Sequence, residues 1–378
     1  MLEVDRLVTG FQRRRQGPTR HPVCGFNGRH QRRSKLLACH CIVRLTAHYT
    51  FVPFRPSLLF YGEIHNYGYT LQSATNWPIR NQSQCGTKGK FVLTAHQRCW
   101  GVDQWAAFLS RPALPCMPRS KTQLRELEET RGDRLAAREL SDIAAADPFL
   151  CLHLLREAES RRVQRLGHET TTPLGAVMQL GTDRFHRLLQ NSPETDEANH
   201  GLAACEARAF LASRLALRWG TARADIVPDE VAMAALLAEI GELLLWSFAP
   251  ELPETTIALL RSGRAPRSMQ AQVDAWGFRF KDLTLKCAAI WHLPALLTQL
   301  IRGLDNSRAN YARLCVDTAR HLAHGGADDP ALPSDIAEAS HLMPGVSVEW
   351  LAEQLPGLDQ EQTSRLAAQA RKLLALEA

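Results

Sequence analysis

The sequence predicts an all-α protein. From Trp105 onward apolar residues recur at helical intervals, and Asp-Pro, Thr-Pro and Gly signals mark where helices start and stop. No alternating strand pattern and no Gly-rich phosphate loop follows residue 102. The 378 residues could hold two ordinary domains, and a hydrophobic fraction of 45% can fill a core. The net charge of +6 averages two unlike pieces. Residues 1–101 carry 15 Lys and Arg against 3 Asp and Glu, whereas residues 102–378 carry 30 against 36.

Residues 1–101 do not read as a fold. "FQRRRQGPTRHPVCGFNGRHQRRSK" has no sustained period and is broken by Pro and Gly, so a disordered, Cys/Arg-rich segment is expected. Its acid-poor, Arg-rich character is similar to that of transit peptides, but it has neither a secretory signal nor a membrane span. His21, Cys24, Cys39, His40 and Cys41 are candidate zinc ligands, but no pair of Cys-x-x-Cys knuckles frames them. Arg13, Arg14, Arg15, Arg32 and Arg33 are candidate phosphate-backbone contacts. The change of composition also suggests a start assigned too far upstream, with Val102 as the alternative.

The helices follow in order. Leu124, Leu127, Leu135, Leu140 and Ile143 lie near helical intervals, with Gly132 splitting one helix from a short second one at 134–146. Asp147-Pro148 then supplies an N-cap and an N1 proline, and Phe149, Leu152 and Leu155 form the inward face. Thr172-Pro173 repeats the signal, and "LGAVMQLG" stops at Gly181. The next helix, "DRFHRLLQ", completes a helix-turn-helix outline with Arg184, His186 and Arg187 as candidate DNA contacts. Phe185, Leu188 and Leu189 demand burial, however, and the acidic balance opposes DNA, so packing explains this pair better. "NSPETDEANHG" reads as a surface connection, and "ACEARAFLASRLALRWG" as an amphipathic helix. Pro228 to Phe248 is apolar on almost every side and predicts a helix central to the core. Beyond Gly325 an acidic-polar linker, "GGADDPALPSD", precedes short amphipathic helices that either pack back or meet a partner.

Five stretches together resemble the HD-related output domain (HDOD) family over roughly Trp105 to Gly325: "LSRPALPCMP", "IAAADPFLCLHLLREAES", "TPLGAVMQLGTDRFHRLL", "AALLAEIGELLLW" and "GFRFKDLTLKCAAIWHLPALLTQLI". The resemblance implies an HDOD domain at 102–325, with a helical lobe at about 102–200 and an HD-like core at about 201–325, then linker and helices at 326–378. Glu159 departs from it, since members often carry Asn there. Catalytic relatives of this fold bind a divalent metal through His and Asp from several helices, to polarise a phosphoryl oxygen and activate water. The matching positions here hold Ala238 and Glu239; Phe280 or Lys281 stands where a histidine often falls, and Gly303-Leu304-Asp305 where a histidine pair is expected. No catalytic, cofactor-binding or metal-ligating residue is therefore expected.

Other residues do not rebuild a site. His321 and His324, at i and i+3, better suit a polar helix end, and His292 a structural role beside Trp291. Arg264 and Arg267 read as a solvated loop. Cys116, Cys151, Cys205, Cys287 and Cys315 read as buried free thiols of a reducing cytoplasm. The expected function is a non-catalytic signal-transduction or regulatory module in a bacterial cytoplasm. It would contact an unknown signalling protein through a groove between the N-terminal helices and the HD-like core, with no membrane and no nucleic acid. The alternative is a divergent metal-dependent phosphohydrolase of a nucleotide or cyclic dinucleotide.

Overall fold

The computed structural model describes residues 93–303 and 306–377, less 166–168. The zinc and arginine candidates of the first piece, and Leu304 and Asp305, lie outside the described residues. Within them the chain is all helix and turn, with one isolated parallel bridge between Cys116 and Glu194.

The packed body begins before residue 102. Thr94 caps a single turn, α1 (Ala95–Arg98), and Gly101 precedes α2 (Val102–Leu109). Leu93 is buried and its N–H donates to Glu251 Oε2 at 3.2 Å, while Arg98 pairs with the same carboxylate. Trp100 meets Trp105 edge-on at 5.1 Å between centroids and Phe108 at 5.7 Å. Residues 93–101 thus depart from the disordered segment expected there: two large apolar side chains anchor a stretch too short to show a period.

The N-terminal lobe continues with α3 (Pro118–Arg131), a 3-10 turn at Gly132–Arg134 and α4 (Ala137–Ala146). Gly132 takes φ +53°, a left-handed conformation that suits glycine and divides the two helices. Fully buried Asp147 starts α5 (Pro148–Arg165). Its Oδ1 accepts from the N–H groups of Phe149 and Leu150 at 3.0 Å each; its Oδ2 accepts from Met117 N at 2.8 Å and Ser120 Oγ at 2.7 Å. One carboxylate therefore caps α5 and fixes the start of α3, which is why its burial is tolerated. Thr172 caps α6 (Pro173–Leu180), and Gly181 at φ +83° turns the chain into α7 (Thr182–Asn191). The connection after α7 is tied down: Cys116 N donates to Pro193 O at 2.8 Å and Thr195 N to Cys116 O at 2.9 Å.

The core follows with α8 (His200–Gly220), α9 (Pro228–Leu237), α10 (Ile240–Phe248), α11 (Glu251–Arg261), α12 (Ser268–Trp276), α13 (Phe280–Ile290), α14 (Ala295–Arg302) and α15 (Ser307–Gly325). The C-terminal part is α16 (Leu332–Leu342), α17 (Val348–Glu353) and α18 (Gln360–Glu377). Its first helix starts inside the stretch read as linker, because Asp329 Oδ1 accepts from Ala331 N at 3.0 Å and Leu332 and Ile336 are fully buried. These helices pack back on the core: Trp219 Nε1 donates to Leu351 O at 3.1 Å and Arg218 Nη1 to Gln354 O at 3.2 Å.

Two hydrophobic clusters result. The first joins the N-terminal lobe to α10, α13 and α14; the second joins α8 and α15 to α16–α18. Helix α9 serves both, giving Met233, Leu236 and Leu237 to the first and Val231, Ala232 and Ala235 to the second. That double duty explains an apolar surface all round. By length and composition 228–248 could cross a membrane, but most of it is buried inside the protein.

The expected single helix over 228–248 is broken at Ala238-Glu239. Thr284 of α13 causes the break by inserting its hydroxyl into the ladder: Oγ1 accepts from Gly241 N at 3.0 Å and lies 3.3 Å from the carbonyl of Ala238. Gly241 makes the approach possible, since a Cβ there would sit 2.7 Å from Phe280 O and 2.8 Å from Thr284 N.

Candidate functional site

The break delivers Glu239 to a point where three helices meet. Arg208 of α8 donates its Nε to Glu239 Oε2 at 2.6 Å, and Arg320 of α15 donates Nη2 to Oε1 at 2.7 Å. Arg208 Nη2 reaches Glu242 Oε1 at 3.1 Å, and Arg320 Nη1 reaches Asp317 at 3.0 Å. Glu239 retains only 7% of its side-chain exposure and Arg208 18%, while Arg320 keeps 45%, so the carboxylate is withdrawn from water beneath a surface arginine.

Burial by itself would raise the Glu239 carboxyl; the adjoining guanidiniums of Arg208 and Arg320 outweigh it and hold the group at about 2. Burial would likewise lower Arg208, but Glu239 and Glu242 keep it well above its ordinary value. Both oxygens of Glu239 are consumed by charge-assisted hydrogen bonds. Among the described residues, no three His, Cys, Asp or Glu side chains are grouped to share an ion. The arrangement is an internal clasp that bonds α8, the α9–α10 break and α15.

The other candidates are scattered. Phe280 is buried at the start of α13; Lys281 beside it is exposed, and partial desolvation lowers its ammonium. Gly303 is the left-handed C-cap of α14. His321 Nδ1 lies 2.7 Å from Asp335 Oδ2, whereas His324 Nδ1 lies 3.0 Å from Asp329 Oδ2, so each imidazole fastens the α15–α16 turn to its own carboxylate. The Asp335 hydrogen bond raises the His321 imidazole, while burial raises Asp335 itself. The charged pair is hence confined to a middle pH window.

His292 has an exposed side chain and backbone φ +53°, so its structural role lies in the turn it makes and not in a satisfied side chain. Arg184 bonds Glu157 at 3.0 Å and His186 lies 3.0 Å from Glu128, which uses two of the three basic groups of the helix-turn-helix outline internally. Arg264 and Arg267 are exposed. The five cysteines are buried and unpaired; burial first, then Asp147, pushes the Cys116 thiol up to about 12, and burial does the same for Cys287. Glu159 is fully buried where Asn was expected, and accepts from Thr170 N at 2.8 Å and Arg162 Nε at 2.6 Å.

Sequence reasoning missed Arg208 and Arg320. A signal existed for the first: Arg208 adjoins the stripe Cys205, Ala209 and Ala212, and a cation on a buried stripe requires a buried anion. It also missed a corner between the lobes. There the Arg156 guanidinium lies 4.7 Å from the centroid of the Trp291 ring, with no carboxylate paired to it among the described residues. The indole Nε1 of Trp291 is buried without a partner among the described residues, and Glu169 accepts from Ala295 N at 3.1 Å across the same seam. Elsewhere the junction is filled, not grooved, because Phe149, Leu152, Leu236 and Leu237 share one cluster. Two open clefts of about 420 and 510 Å³ flank Asp225 instead, away from Glu239.

The model of the HDOD domain family matches residues 114–306. No curated protein matches the chain. Among solved structures, a virulence factor from Campylobacter jejuni subsp. jejuni is 14% identical, with 68% of this chain and 99% of that one covered at a TM-score of 0.55. The MmoQ response regulator from Methylococcus capsulatus str. Bath is 19% identical over 68% of this chain and 99% of its own, with a TM-score of 0.48. An HDOD domain protein with unknown function from Geobacter sulfurreducens is 17% identical over 73% and 96%, with a TM-score of 0.33. At these identities the likeness concerns the fold alone.

Proposed function

The chain belongs to the HDOD family, and from that premise we propose that it is a non-catalytic regulatory module that acts by protein–protein contact in a bacterial cytoplasm. One observation carries the reading: the carboxylate at the HD position, Glu239, is engaged on both oxygens by Arg208 and Arg320. A Lewis acid needs free lone pairs, and a cation arriving there competes with two guanidiniums already in place. Buried free thiols fit a reducing compartment.

The contact surface that best supports the reading is the seam between α5 and the α13–α14 turn. Among the described residues Arg156 is a half-buried cation without a carboxylate, Trp291 gives it a rigid floor, and Ile290 and His292 stand exposed beside it. The φ of +53° at His292 is strain of about 1–2 kcal/mol held at an exposed position, as occurs where a surface is shaped for binding. Arginine and tryptophan also head the residue types that dominate interface energies. The partner segment is one that offers an acidic side chain to Arg156.

Two measurements on the full chain test this. Elemental analysis and hydrolysis assays with phosphate esters and a cyclic dinucleotide should give substoichiometric transition metal and no turnover. A stoichiometric metal with turnover that disappears in Glu239→Gln would establish the phosphohydrolase alternative. Affinity capture from the native cytoplasm should yield a partner with the wild-type chain that Arg156→Ala no longer retains; equal retention by both would remove the seam.

A further inference from the structure

We propose that the turn joining α8 to α9, together with the N-terminus of α15, forms a binding site for the phosphate group of a small phosphorylated molecule. Arg223 in that turn keeps only 7% of its side-chain exposure. Its Nε and Nη2 donate to the carboxylate of Asp225, and Nη2 also donates to Ser307 Oγ at 2.8 Å. Its Nη1 is buried and has no partner among the described residues. The guanidinium carbon lies 5.7 Å from the centroid of the Tyr311 ring, whose hydroxyl is fixed by donation to Ala216 O at 2.8 Å. A desolvated donor left unmade on a rigid platform is costly, and an anion would repay that cost.

The second element is the start of α15, a helix of 19 residues. Asn306 caps the N–H of Ala309, while the N–H groups of Ser307 and Arg308 belong to the first turn, which has no intrahelical acceptors. The clefts of about 420 and 510 Å³ open on either side, and Asp225 and Ser307 line both. Arg223 and His341 line one, and Arg308 the other. Volumes of this order hold a small ligand. Guanidinium, hydroxyl and helix N-terminus are all donors, so the site suits the oxygens of a phosphate. Among the described residues that line the two clefts the one anion is Asp225, which occupies the guanidinium fork from an exposed side chain, standing where ligand oxygens would go. Entry exchanges that carboxylate for phosphate on the Nε and Nη2 edge of the guanidinium. The site lies about 20 Å along α15 from Arg320 by helical rise, so it is distinct from the Glu239 clasp.

Calorimetric titration of the full chain with inorganic phosphate, and separately with a mononucleotide, tests the site. Saturable binding is expected, tightened several-fold in Asp225→Asn, weakened about fivefold in Ser307→Ala and about tenfold in Arg223→Gln. Ser307 and Asp225 are exposed, so their variants decide the matter even where Arg223→Gln does not fold. Arg264→Gln, an exposed cation elsewhere, should leave binding unchanged. Absence of saturable binding to either probe, affinities indifferent to Asp225 and Ser307, or an equal loss in Arg264→Gln would overturn the proposal.

Discussion

Replacing Glu239 by glutamine tests the clasp directly, because it keeps the shape and removes the charge. The native carboxyl is held at about 2, against 4.5 for the ordinary group. The difference corresponds to about 3 kcal/mol of native-state stabilisation of the ionised form. The folded value is the depressed one, so this stability is fully present above pH 4.5 and is lost as the pH falls through about 2. Glutamine also leaves Arg208 and Arg320 facing each other with one anion fewer, which belongs to the class of broken buried pairs that costs about 3–5 kcal/mol. Urea unfolding at pH 7 should show Glu239→Gln less stable by about 3 kcal/mol, and at pH 3 by only about 1.5. A loss that is absent at pH 7, or equal at pH 7 and pH 3, would refute the clasp as a stabilising ion cluster.

Three further outcomes are expected. Gly241→Ala forces a methyl to within 2.7 Å of Phe280 O, so it should cost at least about 2 kcal/mol and lower Tm by several degrees; an unchanged Tm would mean that α10 and α13 do not approach so closely. A chain beginning at Val102 loses the Leu93–Glu251 bond and the Trp100 packing, and should melt below one beginning at Leu93; equal melting would make the α1 turn dispensable. Under native alkylation followed by peptide mapping, Cys99 should react and Cys116, Cys151, Cys205, Cys287 and Cys315 should not; rapid labelling of any of these five would contradict their burial.

The helical class and most helix starts were legible because caps act locally. Asp147-Pro148, Thr172-Pro173 and Gly132 declare themselves in two or three residues, and the structure uses each as read. What could not be read depends on neighbours distant in sequence. The break at 238–239 is made by Thr284, 45 or so positions away, and no periodicity in 228–248 announces it. The partners of Glu239 come from α8 and α15, so the sequence shows the missing His-Asp pair but not the arginines that stand opposite. The early start of the fold was hidden for another reason: Leu93 and Trp100 act as isolated anchors, which leave no repeating signal.

The clasp bears on what this spot would need in order to hold a dication. Writing His-Asp back at 238–239 would place an imidazole and a carboxylate beside two permanent positive charges, and a dication would be repelled from the spot it has to occupy. Both arginines would have to go, yet removing either one leaves buried Glu239 with only one of its two cationic partners. Each single removal is thus expected to cost stability. The charges that hold these helices together also guard the spot against a cation.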